Sequence, residues 1–175
     1  MLKITIPGGE LYDESTNEFI TAKETTLVLE HSLVSISKWE AKWEKAFLDT
    51  KMTHEESIDY VRCMTLTQNV DPNVYKLIPT KLMDEINKYS NSKQTATWFR
   101  EDQNQRRTRK VVTSEVIYYW MITCGIPFEC QKWHLNRLLT LIRVCQEENK
   151  PSRKMTPQER QALNMARRKK FKSNG

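Results

Sequence analysis

The chain has 175 residues, 38% hydrophobic and 29% charged, with four glycines and a formal net charge of +6. That length suits one domain with a sizeable core. So few glycines disfavour a turn-rich β-sandwich and favour helices. No apolar run reaches the roughly 18 residues of a membrane span, and MLKITIPGG lacks the features of a signal peptide, so the expected location is the cytoplasm.

The charge is unevenly placed. Residues 150–175 hold nine basic residues and one acid, Glu159, which leaves 19 basic and 21 acidic residues in the first 149. The body is near neutral and the end is basic, as in a charged arm. The boundaries follow: residues 1–149 as one α-rich domain with a short N-terminal β element, and 150–175 as a basic linker and C-terminal helix. Cys63, Cys124, Cys130 and Cys145 are expected to be free, mostly buried thiols.

Leu2, Ile4 and Ile6 alternate with Lys3 and Thr5, which is strand period. Phe19–Thr21 is a second extended piece and Thr25–Leu29 a further strand, so a hairpin or meander opens the chain. In LVSISKWEAKWEKAFL, Ser37-Lys38-Trp39-Glu40 has the form of a capping box. Ile36, Trp39, Trp43 and Phe47 then form one stripe of an amphipathic helix. Such a stripe serves as core or as a partner-binding face.

Thr53-His54-Glu55-Glu56 is a second capping box, heading a helix to about Leu66. Asp71-Pro72 starts a short helix and Pro79-Thr80 another, to about Ser90. Residues 91–110 are polar, with Ala96–Phe99 as an apolar anchor or short strand. Gln103–Lys110 (QNQRRTRK) reads as a solvated loop. Nucleic-acid binding through Trp98, Phe99 and these arginines is the weaker alternative.

Residues 111–145 form the most apolar stretch, expected as a central helical hairpin. Thr113 or Ser114 caps the first helix, whose apolar residues surround it almost completely, so burial on most sides is expected. Gly125 closes it, and Pro127 opens the second helix. Phe128, Leu135, Leu138, Leu139, Ile142 and Cys145 share one face of that second helix. Beyond a linker at 150–154, Thr156-Pro157-Gln158-Glu159 caps a last helix. Leu163, Met165 and Ala166 give it a thin apolar side, and Arg167–Lys170 a basic end.

Catalytic patterns are lacking. There is no P-loop, dinucleotide fingerprint, nucleophile elbow or H-E-x-x-H motif. Cys124, Cys130 and His134 could supply three zinc ligands, but no fourth ligand or paired C-x-x-C accompanies them. Buried thiols and a satisfied histidine are the simpler reading. No cofactor and no enzymatic activity are expected.

Three segments, in order, resemble a family of tailed-bacteriophage proteins, the tail assembly chaperones. They are TTLVLEHSLVSISKWEAKWEKAFL (25–48), TSEVIYYWMITCGIPFECQKWHLNRLLTLIRVC (113–145) and RQALNMARRKK (160–170). ITIPGGELYDESTNEFI and DYVRCMTLTQNVDP extend the similarity to most of the chain. The resemblance implies a non-enzymatic role in the host cytoplasm. Such a chaperone binds the tape-measure protein and brings in major tail protein for tube polymerisation. Self-association is compatible with that role. The expected partner-binding residues are Trp39, Trp43 and Phe47, with Leu163, Arg167, Arg168, Lys169 and Lys170 on the last helix. A component retained in the virion tail or neck is the alternative, and a nucleic-acid-binding accessory protein a further one.

Overall fold

In the computed structural model, residues 1–13, 17–99, 111–149 and 156–171 are described. The fold is mainly α with a small antiparallel β element at the N-terminus. Strand β1 (Leu2–Ile6) pairs with β4 (Thr25–Leu29), and β2 (Gly9–Asp13) pairs with β3 (Glu18–Ala22). Both ladders keep one register: Ile6 faces Thr25, and Gly9 faces Ala22. They form one long hairpin, interrupted where Pro7-Gly8 lies opposite Lys23-Glu24. Pro7 has no N–H to donate there. A Cβ on Gly8 would lie 2.8 Å from the Glu24 backbone nitrogen, so only glycine fits. The expected alternation holds: Ile4, Ile6, Leu27 and Leu29 are buried, while Lys3 and Thr5 are exposed.

Helix α1 (Leu33–Trp43) follows directly. Its capping box is Ser32 with Ser35, not Ser37 with Glu40 as the sequence pattern indicated. Starting at Leu33 places that fully buried side chain on the same stripe as Ile36 and Trp39, and the burial selects between two similar caps. Glu44 ends the helix in a left-handed conformation, φ 53°. Phe47 therefore lies beyond the helix rather than on its stripe. From there it packs on Tyr60, with ring centroids 4.3 Å apart, and edge-on against Trp39 at 5.3 Å.

Helix α2 (His54–Met64) has the expected box. The Thr53 hydroxyl accepts from the Glu56 N–H, and the Glu56 carboxylate accepts from the Thr53 N–H. Asp71 accepts from the Asn73 N–H at the head of α3 (Asn73–Lys76). Helix α4 (Thr80–Ser90) buries Ile86. Ala96–Phe99 forms no strand. Trp98 is exposed, and Phe99 lies under the Arg143 guanidinium at 4.2 Å. Gln103–Lys110 lies outside the described residues.

Helix α5 (Ser114–Thr123) ends at Gly125, φ 65°. The Ile126 N–H reaches back to the Met121 carbonyl at 2.8 Å, and both side chains are buried. This pairing of a left-handed glycine with a six-to-one bond and an apolar clasp is a Schellman ending. The second helix of the stretch begins later than Pro127. Phe128–Lys132 is a 3-10 turn, Trp133 is extended, and α6 runs Leu135–Glu148. The delay has a tertiary cause: His134 bridges to Ser32, and the Leu135 N–H donates to the His31 carbonyl at 2.7 Å. The chain is tied to the β4–α1 junction before α6 can start.

Helix α1 is the centre of the packing. It lies against α2, α5 and the 3-10 turn, and Trp39 within it is fully buried. The chain divides into two compact units, Met1–Cys145 and Gln146–Gly175. In the second, α7 (Pro157–Phe171) is capped by Thr156 and Glu159, each bonding the other's backbone N–H. Among the described residues no helix is long and apolar enough to cross a membrane.

Candidate functional site

The residues expected to contact a partner fall into different environments. Trp39 is fully buried, and its indole N–H donates to the Glu56 carbonyl at 3.0 Å. It belongs to the core and cannot reach a partner while α1 stays packed, which corrects its assignment to a binding face. Trp43 is half-buried, and its N–H donates to Asp59. Phe47 is half-buried in the turn after α1. In the other unit Leu163, Arg167 and Arg168 are exposed on α7. Lys169 and Lys170 belong to the same helix, but their side chains lie outside the described residues.

The Cys/His constellation does not assemble. Cys130 is buried in the 3-10 turn and His134 stands before α6, not one turn away on the same helix. No group of three or more potential metal ligands occurs among the described residues. His134 joins a buried polar cluster instead. Its Nδ1 accepts from the Asn136 N–H and its Nε2 faces the Tyr89 carbonyl, so the ring is neutral with the proton on Nε2. Its ring meets that of His31 edge-on at 5.1 Å.

His31 Nδ1 and the Tyr60 hydroxyl share a hydrogen bond of 2.5 Å. Burial, with the neighbouring His134, pushes the His31 pKa down from 6.5 to about 4. Burial also lowers that of His134 and raises that of Tyr60. These groups remain neutral at pH 7. His31 and Tyr60 line a cavity of about 240 Å³ together with Phe47, Met52, Met83, Asn87, Asn91 and Asn136. With no carboxylate or thiol in its lining, the arrangement orients packed rings and offers no activated nucleophile.

The largest departure from expectation is α5. It buries Ser114, Ile117 and Met121, yet Tyr119 and Ile122 are 61% and 62% exposed. They stand three residues apart and so share a face. Phe128, just past the Gly125 turn, is 53% exposed. Its ring lies 6.3 Å from Tyr118, whose hydroxyl donates to Gln131 and ties the turn to the helix. Three large apolar side chains, Tyr119, Ile122 and Phe128, are therefore left exposed at or just past a firmly closed helix end. Sequence reasoning missed it because a helix apolar on all sides reads as buried. The isolated Glu115, exposed one turn before Tyr119, was the available signal for a solvent-facing side. On α7, Leu163 and Met165 are likewise exposed.

No protein-family model, curated protein or solved structure matches the chain.

Proposed function

We propose that this chain is a tail assembly chaperone of a tailed bacteriophage, non-enzymatic, binding the tape-measure protein and promoting tail-tube polymerisation by protein–protein contact. The observation that carries the reading is the exposed apolar pair Tyr119 and Ile122 on α5, with Phe128 also exposed just past the helix end. Exposed large apolar side chains that share a helix face, as Tyr119 and Ile122 do, mark interaction surfaces. They belong to residues 113–145, one of the segments that resemble the family. Helix α7, in the segment 160–170, adds a capped helix with an exposed Leu163 and a basic end. An apolar contact with a partner helix, flanked by basic residues, is the binding mode these features suit.

The test is co-expression with a tape-measure protein from the same phage. A complex that co-elutes on a sizing column and keeps the tape measure soluble is the expected result. Separate elution, with the tape measure still insoluble, would overturn the proposal.

A further inference from the structure

A second surface lies between α1 and α2, apart from the α5 face. The two helices run antiparallel there. Val34 is level with Leu66, Lys38 with Cys63, and Lys42 with Asp59, whose carboxylate accepts from Lys42 Nζ at 2.6 Å. Three recesses follow one another along this seam. The first, about 250 Å³, is largely apolar, with Val34, Cys63, Met64 and Leu66 in its wall. The middle one is walled by Lys38, Lys42, Asp59, Arg62 and Cys63. The third, about 230 Å³, carries Trp43, Ile58, Pro72 and Tyr75, with Glu55 and Lys76 balancing one another in its lining. Neighbouring recesses share residues: Lys38 and Cys63 join the first two, and Lys42, Asp59 and Arg62 the last two. They make one groove.

We propose that this groove binds an extended acidic peptide segment in which a carboxylate is flanked, two residues away on each side, by a large apolar side chain. Charge sets the middle position. Three cations surround one carboxylate, and Asp59 is already engaged by Lys42, the Trp43 indole and Arg62. The middle recess therefore keeps a net positive charge within a body that is near neutral overall. Lys38 and Arg62 are exposed and positioned to meet an incoming carboxylate.

Distance sets the spacing. The groove follows α1 from Val34 to Trp43, nine residues and so roughly 14 Å at 1.5 Å per residue. An extended chain covers that in about four residues at roughly 3.3 Å each. Side chains at the first, third and fifth positions then point to one side, into the three recesses. The end recesses admit single side chains and not a helix of roughly 10 Å diameter. Leu66, 53% exposed, is apolar surface that such a ligand would cover.

The probe is a fluorescein-labelled peptide with the core Leu-Ser-Glu-Ser-Phe between Gly/Ser flanks, titrated with the whole protein and followed by anisotropy. Saturable binding that weakens with added salt is expected. Exchanging the peptide's Glu for Lys, or its Leu and Phe for Ser, should abolish it. Lys38→Glu with Arg62→Gln should weaken binding about tenfold or more, with the circular dichroism spectrum unchanged and the melting temperature lowered by no more than loss of the exposed Arg62–Asp59 ion pair accounts for. Leu66→Ser should weaken it at one end only, so that truncating the peptide's matching residue costs nothing further. Equal binding of the Lys-substituted peptide, unchanged binding by the double variant, or no saturation at millimolar protein would overturn the proposal. Preferential binding of a labelled 12-nucleotide thymidine strand would overturn it in favour of a nucleic-acid site.

Discussion

Helices α1 and α5 are nearly equal in length and opposite in what their compositions promise. Helix α1 carries Lys38, Glu40 and Lys42 among its 11 residues, whereas the only charge among the 10 residues of α5 is Glu115. Yet α1 buries Leu33, Ser35, Ile36, Trp39 and Glu40, and α5 buries only Ser114, Ile117 and Met121. Neighbours account for the difference. Helix α1 is enclosed by α2, α5 and the 3-10 turn, whereas the main packing of α5 is with α1 alone. Apolar content states how much surface a helix could bury; topology states how much finds a partner. A polar-looking helix is thus the structural centre, and the most apolar one keeps a face to the outside.

The strongest way to break this comparison is to hollow out α1. Trp39→Ala removes a fully buried indole and its bond to the Glu56 carbonyl. The expected loss is about 4 kcal/mol, within the range for large aromatic side chains cut to alanine in a core. Urea unfolding followed by far-UV circular dichroism measures it. A cost below about 1 kcal/mol, the scale of ordinary substitutions, would mean that α1 is not the centre.

Acid should weaken the fold as well. His31 is neutral and buried, with its folded pKa lowered from 6.5 to about 4. Between those values the unfolded chain binds a proton that the folded chain refuses, so stability rises with pH across the window and is lost on acidification. The full effect is about 3 kcal/mol by pH 4. Glu56 adds to the loss in the same direction, because Lys45 and the Thr53 N–H hold its carboxyl below the usual range. On α5, Glu115 is likewise held below the usual carboxylate range, by Thr113 and its own backbone N–H, and adds to the loss in the same direction. Urea midpoints from pH 7 to pH 4 test the sum. An NMR titration of the His31 ring isolates its share, and a midpoint near 6.5 would contradict the packing described.

Glu40 connects the two helices. One of its carboxylate oxygens accepts from the Phe47 N–H at 2.9 Å, and the other from the buried Ser114 N–H at the head of α5, at 2.7 Å. Glu40→Ala leaves both donors unmatched and should cost about 2 kcal/mol. Hydrogen exchange should speed up most in the first turn of α5. Uniform acceleration through α1 and α5 alike would show that Glu40 stabilises α1 rather than joining the pair.

What could be read from residue order was local. The Leu2–Ile6 alternation, the Thr53/Glu56 and Thr156/Glu159 boxes, the Thr80 start and the Gly125 stop all depend on side chains acting within one turn of their own backbone, and all are present. The displaced features depend on distant partners. Ser32-x-x-Ser35 and Ser37-x-x-Glu40 are similar caps, and the need to bury Leu33 chooses the first. Pro127 suits a 3-10 turn as well as an α-helix, and the His31 carbonyl decides by holding Leu135. Trp39 and Tyr119 look equally able to face a partner or the core, and only the packing around each separates them. The α1–α2 groove was illegible for the same reason, since the residues that face each other across it lie between 17 (Lys42 and Asp59) and 32 (Val34 and Leu66) positions apart in sequence.

The smallest expected effect on stability tests the other half of the comparison. Tyr119→Ser with Ile122→Ser changes two side chains that are more than half exposed on α5. Substitutions at such positions usually stay within about 0.5 kcal/mol each, so the urea midpoint should barely move. Both replacements lower helix propensity only slightly, which leaves the Schellman ending and the Ile117–Met121 side intact. Partner capture should behave differently. Exposed aromatic and aliphatic side chains at the centre of a contact carry most of its energy, so capture of the proposed partner, a tape-measure protein, on a sizing column should fall sharply. Joint loss of stability and capture would show that the α5 face is core after all. Unchanged capture at unchanged stability would move the contact to α7 or to the α1–α2 groove, where Leu163→Ser and Lys38→Glu separate the remaining two surfaces.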